Sequence, residues 1–175
     1  AASSTPTTDV VEENGFQFDK STGTITDYTG NETGTLTIPS SIDGVTVTSI
    51  KAYALGSAKM KEVVIPNTIE TLGFGVFQMC SSLEKVTFES GSKVTELKDS
   101  MFYQCTKLKE VVFPENLKSI KVLAFYKCTS LETVTLPEGF TTLYNAAFLD
   151  CTNLKTVIVP DSLNHMVMNP FEGCT

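Results

Sequence analysis

The chain has 175 residues, with 13 Lys+Arg against 20 Asp+Glu, a formal net charge of −7 and no tryptophan. This length is sufficient for one domain with a substantial hydrophobic core. All basic residues are lysines, so the guanidinium that reads guanine and clamps phosphate is missing, which argues against nucleic acid and anionic membrane as partners. The one histidine, His165, cannot form a multi-histidine metal site, and no apolar stretch approaches the roughly 20 residues of a membrane-spanning helix.

Residues 1–14 are rich in Ala, Ser, Thr and acids, with only Val10 and Val11 to bury, and predict a flexible leader or linker. They contain no charged-then-apolar signal peptide. The chain is therefore either cytosolic or exported with its signal peptide removed. We favour an extracellular or cell-surface location, because a polar lead-in of this kind commonly separates an exported domain from its anchor.

From about residue 60 the sequence is a repeat. Five cysteines recur at intervals of 25, 23, 23 and 23 residues, each preceded at three residues by a phenylalanine. The unit is L-x-x-V-x-[FLV]-P-x-x-[LF]-x-x-[IL]-x-x-x-A-F-x-x-C-[ST]-x, and its cleanest copies are residues 108–130 and 131–153. Residues 34–39 and 61–66 repeat its opening, with Leu55 and Ala58 at the Phe and Cys positions. The two recurring columns are Phe77, Phe102, Phe125, Phe148 and Phe171, and Cys80, Cys105, Cys128, Cys151 and Cys174.

The opening of each unit has alternating apolar, β-branched residues followed by proline, and predicts a short strand. In the A-F-x-x-C segment Ala124 and Cys128 are four residues apart, which predicts one helical turn. One unit cannot bury its own apolar face, so successive units must stack. We predict a right-handed β/α solenoid with one parallel sheet, about six strand-bearing coils of about 23 residues, and short helical or 3-10 turns on the opposite side.

The ends of such a solenoid expose a sheet edge that must be covered. Within residues 15–33, the extended segments 16–18 and 24–26 predict an N-terminal capping hairpin, and residues 34–175 form the solenoid. At the C-terminal end the sequence shows no equivalent cap. We expect that the natural polypeptide continues past Thr175 or that another chain covers this end.

The repeating unit, together with residues 23–30 and 38–50, resembles the BspA-like branch of the leucine-rich repeat proteins over roughly residues 15–175. The resemblance implies a leucine-rich repeat solenoid on a bacterial cell-surface or secreted protein, and a role in adhesion to host proteins, matrix or other cells. The departures from the pattern are Leu55, Ala58 and Pro170, which replaces the usual Ala before Phe171.

The cysteines allow four interpretations: disulfides, a thiolate metal site, a nucleophile, or a column of small buried hydrophobic residues. We favour the last, because Cys is often buried, polar Ser or Thr follows it in most units, and Ala58 replaces it in one coil. The phenylalanine column is expected to lie in the core. We therefore predict five free thiols, no metal and no cofactor.

In leucine-rich repeats the residues that flank the central strand residue face outward, and here they form two columns. We predict a ligand-binding face, with the alternative that its β-branched residues reflect strand propensity alone. A neighbouring row alternates in charge, and we interpret it as control of register between coils. The predicted face comprises Thr37, Glu62, Val64, Lys85, Thr87, Glu110, Val112, Thr133, Thr135, Thr156 and Ile158, beside Thr35, and the charged row comprises Lys61, Glu84, Lys109, Glu132 and Lys155.

Catalytic signatures such as G-x-S-x-G, H-E-x-x-H, C-x-x-C and the phosphate loop are missing, and His165 with nearby Asp161 and Ser162 is no triad without positioned geometry. Two hypotheses remain for a chain that we expect not to be an enzyme. The first is an adhesin-like module that binds a host or cell-surface protein or a glycan through the sheet face. The alternative is a structural spacer or scaffold of a larger cell-envelope protein. The sequence does not indicate an oligomeric state.

Overall fold

The computed structural model describes residues 9–175, which form a solenoid of short strands joined by turns. The strands in this part of the chain are β1 (Val10–Glu13), β2 (Phe16–Asp19), β3 (Thr24–Tyr28), β4 (Thr35–Thr37), β5 (Ser41–Ile42), β6 (Val45–Thr46), β7 (Ser49–Ile50), β8 (Glu62–Ile65), β9 (Thr71–Leu72), β10 (Lys85–Phe88), β11 (Glu96–Leu97), β12 (Glu110–Val112), β13 (Ser119–Ile120), β14 (Thr133–Thr135), β15 (Thr142–Leu143), β16 (Thr156–Ile158) and β17 (His165–Met166).

The strand that opens each unit lies on one side of the solenoid, which we name the front sheet. It comprises β4, β8, β10 and β12, paired in parallel, and the parallel pair of β14 and β16. The central residue points into the core, so that Val63, Val86 and Val134 are buried. Proline follows most of these strands and ends the pairing, since it has no N–H to donate. These strands confirm the predicted parallel-sheet solenoid of about six coils.

A second parallel ladder, which we name the second sheet, follows the proline in each coil. Its strands, which have two residues each except for β3, pair as β3, β7 and β9, and as β11, β13, β15 and β17. The prediction of one parallel sheet is therefore incomplete. The repeat brings Ile120 and Leu143 into register, and their backbone groups pair because buried N–H and C=O groups require partners.

The A-F-x-x-C segment is a pair of tight turns, and the described residues contain no helix. Our prediction of helical or 3-10 turns was wrong, because in five coils one left-handed residue precedes this segment and a second lies within it, and these take the backbone out of the helical region. In one coil these are Leu123 (φ 57°) and Lys127 (φ 56°). Between them Phe125 N–H donates to the Ala147 carbonyl of the next coil at 2.7 Å. The other pairs with positive φ are Tyr53 and Ser57, Gly75 and Met79, Ser100 and Gln104, and Ala146 and Asp150.

The N-terminal strands β1, β2 and β3 form an antiparallel meander, and β3 joins the solenoid by pairing in parallel with β7. The predicted leader is corrected here, because Val10–Glu13 form β1, whose pairing with β2 supplies the hydrogen bonds that a free leader would lack. Residues 1–8 of that leader lie outside the described residues. The capping role of residues 15–33 remains a prediction.

The core follows the phenylalanine column, whose rings stack from coil to coil. Ring centroids are 5.6 Å apart for Phe77 and Phe102, 5.1 Å for Phe102 and Phe125, and 4.8 Å for Phe125 and Phe148. These four side chains are fully buried, and Phe171 continues the stack while partly buried. Burial of each ring contributes roughly 2–3 kcal/mol, so this column supplies much of the hydrophobic stabilisation.

Candidate functional site

The structure places the predicted face on the front sheet in two columns set by strand register. Lys85 pairs with Glu62 and Glu110, and Thr87 pairs with Val64 and Val112. The pairing extends to Thr35 and Thr37 at one end, and Thr133 and Thr135 pair with Thr156 and Ile158 at the other. All predicted residues therefore lie on one face, although their role in binding stays a prediction.

This face exposes β-branched side chains that do not pack in the core. Val112 is 42% exposed and Ile158 is 53% exposed, while Val64 and Thr87 are half-buried between their neighbours. The two columns contain no aromatic residue. The result is a shallow, weakly apolar strip flanked by charges.

The charged row forms ion pairs between adjacent coils. Lys109 Nζ lies 2.7 Å from Glu84 Oε2, and Lys155 Nζ lies 3.5 Å from Glu132 Oε2. The hydrogen bond from Lys109, with its positive charge, lowers the pKa of Glu84. These pairs are exposed and add little stability, but they disfavour a slip in register.

The front sheet is interrupted between β12 and β14. At each of the other four contacts between adjacent front-sheet strands, the carbonyl of the residue before one strand accepts hydrogen bonds from two backbone N–H groups of the next coil. For example, Glu132 O accepts from Lys155 N at 3.0 Å and from Thr156 N at 3.3 Å. Among the described residues no corresponding bond reaches the Lys109 carbonyl from the next coil, and no ladder joins β12 to β14. The remaining intact steps are Lys61 and Glu62 to Gly34, Glu84 and Lys85 to Lys61, and Lys109 and Glu110 to Glu84.

The interruption opens a cavity of about 480 Å³ in the predicted face, which we name the cleft. Val111 is partly exposed there, whereas the corresponding Val86 and Val134 are buried. The sequence carries no signal for it, because the coils on either side are the two most regular copies of the repeat. The cleft is lined by Lys109, Glu110, Val111, Ser130, Glu132, Thr133 and Thr135.

The repeat is also recognised by comparison with known proteins. Residues 48–175 match, in six copies, the family described as BspA type leucine rich repeat region. The chain belongs to this family. The resemblance predicted from the repeating unit is thereby confirmed.

Solved structures of leucine-rich repeat proteins share this fold. A leucine-rich cell surface protein from Faecalibacterium prausnitzii is 26% identical with a TM-score of 0.75, over 99% of this chain and 54% of that one. A leucine-rich repeat protein from Eubacterium ventriosum is 25% identical with a TM-score of 0.75, over 98% and 51%. One from Bacteroides ovatus is 29% identical with a TM-score of 0.69, over 81% and 35%.

The chain thus spans about half or less of the length of these three structures. No curated protein matches its sequence. The comparisons support a BspA-type solenoid and leave its ligand to be argued from the face itself.

The cysteines of the BspA-type unit are all free, and each thiol donates to a carbonyl of the preceding coil. Cys128 Sγ lies 3.2 Å from Phe102 O, and Cys151 Sγ lies 3.0 Å from Phe125 O. This donor role was missed in the sequence, where only small size and burial were considered. The other thiols bond similarly, Cys80 to Leu55 O, Cys105 to Phe77 O and Cys174 to Phe148 O.

Burial raises the pKa of four of these thiols and so favours their protonated form, at Cys105, Cys128, Cys151 and Cys174. It raises the pKa of Cys128 well above its ordinary value, and it raises the pKa of Cys151 to about 12. Because the thiolate is the nucleophile and the metal ligand, these thiols are poorly suited to either role. Within residues 9–175 no group of three or more His, Cys, Asp and Glu side chains could hold a metal ion.

The remaining candidates for chemistry are accounted for by structural contacts. Ser162 Oγ donates to the Phe140 carbonyl at 2.8 Å, while His165 lies exposed in β17. No helix in the part of the chain that the structure describes is long and apolar enough to span a membrane.

A second cavity, of about 430 Å³, lies on the second sheet between Phe74 and Tyr144. Its floor is an ion cluster in which Glu96 contacts Lys98 and lies 2.8 Å from Lys121 Nζ. Burial opposes the charge on Glu96, but the hydrogen bonds from both lysines outweigh it and lower its pKa. Lys121 Nζ also lies 3.9 Å from the centre of the Tyr144 ring. Both lysines already contact Glu96, so the cluster is better suited to holding coils together than to binding an ion.

Proposed function

We propose that this chain is a non-enzymatic recognition module of a surface or secreted protein, which binds a protein or glycan ligand through the front sheet in the manner of an adhesin. The observation that carries the proposal is the outward face of Thr, Val and Ile side chains along the six front strands, whose opposite face already fills the core. Exposed apolar strips bordered by polar residues are typical of interaction surfaces.

The comparisons support an extracellular location for this module. The matched Faecalibacterium prausnitzii structure is described as a leucine-rich cell surface protein, and it covers nearly the whole of this chain at 99%. Repeat solenoids also offer an extended surface that a rigid core positions for binding.

The test is binding to immobilised host matrix and cell-surface proteins, measured by surface plasmon resonance. In the test variant Val64, Val112 and Ile158 are changed to Glu, which places charge along the strip without entering the core. We expect wild type to bind at least one of these proteins and the triple variant to lose about tenfold or more in affinity. A matched control changes Thr71, Thr106 and Thr152 to Glu, three exposed positions off the front sheet. The chosen face would be refuted if the control variant lost affinity, or if the test variant bound as tightly as wild type.

The alternative is a spacer or scaffold that carries other domains away from the cell envelope. The absence of aromatic anchors in the two columns favours it, because such residues dominate tight interfaces. In that case wild type would bind none of the proteins tested, while a longer array of the same repeats would still separate two attached domains.

A further inference from the structure

We propose that the cleft between β12 and β14 is a peptide-binding site, in which an extended segment of a partner protein inserts as an additional strand between them. The proposal rests on the recognition function of the front sheet and commits it to a protein ligand. It also assigns a mode of binding, in which backbone hydrogen bonds supply affinity and alternate side chains supply selectivity.

The first argument is the set of backbone groups on the two walls. Elsewhere in the front sheet the carbonyl at the position of Lys109 accepts two N–H groups, and the amides at the positions of Glu132 and Thr133 donate. At the cleft these bonds between coils are not made. An extended polypeptide presents donors and acceptors at the spacing of a strand, so one inserted chain can satisfy both walls. A glycan lacks this regular alternation.

The second argument is that the opening is confined to one side of the step between residues 108–130 and 131–153. On the second sheet, Ser119 and Ile120 pair with Thr142 and Leu143. At the turns, Lys127 N–H donates to Leu149 O at 2.9 Å.

The start of the cleft is closed at its corner, where Ser130 Oγ donates to Thr106 O at 2.7 Å. The strand pairing of the second sheet and the bond at the turns join the two coils, and the Ser130 bond holds the segment before β14 to the segment before β12, so that these contacts can serve as a hinge. The cleft can therefore open or close without separation of the coils.

The dimensions agree with a strand that enters by slight widening. β12 and β14 remain neighbours, with Cα atoms within 8 Å of one another. Two strand-to-strand spacings require about 9.6 Å, so insertion requires the strands to separate by at least roughly 2 Å more. The cavity of about 480 Å³ lies in the range of ligand sites in proteins.

The lining indicates which segments fit. The partly exposed Val111 forms an apolar floor for one inward-pointing residue, and the hydroxyls of Thr133 and Thr135 lie beside it. Lys109 and Glu132 lie on opposite walls, but each is paired with a residue outside the cleft. The site therefore suits an uncharged, β-branched extended segment.

The probe is a hexapeptide with the sequence of residues 131–136 in which Gln replaces the glutamate, acetylated and amidated so that it carries no charge, because this segment pairs naturally in such a sheet. We expect saturable binding to the full chain by isothermal titration calorimetry. N-methylation of the valine amide removes one donor and should weaken binding by about tenfold. Equal binding of the methylated peptide, or no saturable binding of the unmodified one, would overturn the proposal.

A reversible disulfide across the cleft, which we name the clamp, tests whether the peptide binds there. In the double variant Glu110→Cys, Thr133→Cys, a disulfide would draw the two Cα atoms to about 6 Å and close the cleft. We expect the oxidised clamp to lose the peptide by about tenfold or more and the reduced clamp to regain it. The matched control is Ser49→Cys, Thr71→Cys, which joins two strands of the second sheet that are already paired, away from the cleft, and should leave binding unchanged. Full binding by the oxidised clamp would overturn the proposal.

The same variants separate this proposal from the function of the face. One outcome is that the triple Glu variant at Val64, Val112 and Ile158 loses binding to an immobilised host protein while the oxidised clamp keeps it. In that case the face is the binding surface and the cleft is not. If neither variant affects that binding, the proposed function itself fails. A concentration-dependent dimer that the clamp abolishes would make a second copy the occupant and would also overturn the proposal.

Discussion

The turn side and the front sheet differ most where the same two coils meet, between residues 108–130 and 131–153. On the turn side, Phe125 stacks on Phe148 at 4.8 Å, and Phe125 N–H donates to Ala147 O at 2.7 Å. On the front sheet, β12 and β14 share no backbone hydrogen bond and enclose the cleft. One interface therefore contains both the closest aromatic stack of the column and an interruption of the sheet.

With the proposed function, the stabilising contacts lie on the turn side of the coil and the proposed ligand-binding surface lies on the front sheet. The turn side combines buried rings, buried thiols and bonds between coils. The front sheet has strands of three or four residues, exposed ion pairs and a local opening. Binding surfaces tend to be drawn from the less stable parts of a protein, since those parts can adjust to a partner.

The largest effect is expected from Phe125→Ala on the turn side. It leaves a cavity between two well-packed rings and should lower the free energy of unfolding by about 3–5 kcal/mol. Phe113→Ala is the matched control, because Phe113 is partly buried beside the cleft and should cost less. Urea denaturation of both variants measures the difference. Equal losses would remove the distinction between the two sides.

The second-largest effect is expected from alkaline pH, which should lower the stability that the turn side contributes. The folded-state pKa of Cys151 is raised to about 12, so this thiol ionises first in the unfolded chain. Its contribution to stability is present below about pH 9 and falls by about 1.4 kcal/mol per pH unit above it. Urea midpoints between about pH 8 and 10.5 should decline less steeply for Cys151→Ala than for wild type.

Cys174→Ala provides the control for the alkaline experiment. Cys174 is only partly buried, and burial raises its pKa as well. Its removal should change the slope less than removal of Cys151. Identical slopes for wild type and Cys151→Ala would contradict the buried, protonated thiol.

Amide hydrogen exchange compares the interrupted step with an intact one. The amides of Glu132 and Thr133 border the cleft, whereas those of Lys155 and Thr156 donate to Glu132 O. We expect exchange at the first pair to be faster by about tenfold or more, because those amides lack the bond between coils. Mass spectrometry of overlapping fragments, corrected for intrinsic rates, gives the comparison. Equal protection would show that the sheet is closed in solution.

The smallest effect concerns the charged row of the front sheet. Glu84→Lys with Glu132→Lys replaces two ion pairs by like charges and should lower the Tm by about 1 °C at low salt. Salt at about 1 M screens exposed charges and should remove most of the change. A loss that is independent of salt would mean that the row does not act through charge.

The period of the repeat was sufficient to predict the coils, the two columns and the buried phenylalanines. Stacked units must present equivalent residues at equivalent places, so Thr87 necessarily lies between Val64 and Val112 once the sheet is parallel. The free thiols followed in the same way from burial of a small residue in every coil.

The missed features depend on backbone conformation and on bonds between coils. The four-residue spacing of Ala124 and Cys128 is shared by a helical turn and by two successive tight turns, and only the left-handed Lys127 distinguishes them. The cleft has no sequence signal, because small displacements of two nearly identical coils decide whether Lys109 O accepts a bond. Such displacements depend on how both coils pack as a whole.

The two left-handed residues at the turns of a coil affect how the chain folds. A residue such as Leu123 or Lys127 in this conformation costs about 1–2 kcal/mol, so the turn is unfavourable in an isolated coil. The bonds and contacts that offset this cost reach into adjacent coils. The favourable free energy of folding therefore comes from the contacts between coils. No coil should fold independently, and folding should begin where neighbouring coils dock and propagate along the array as a cooperative, one-dimensional transition.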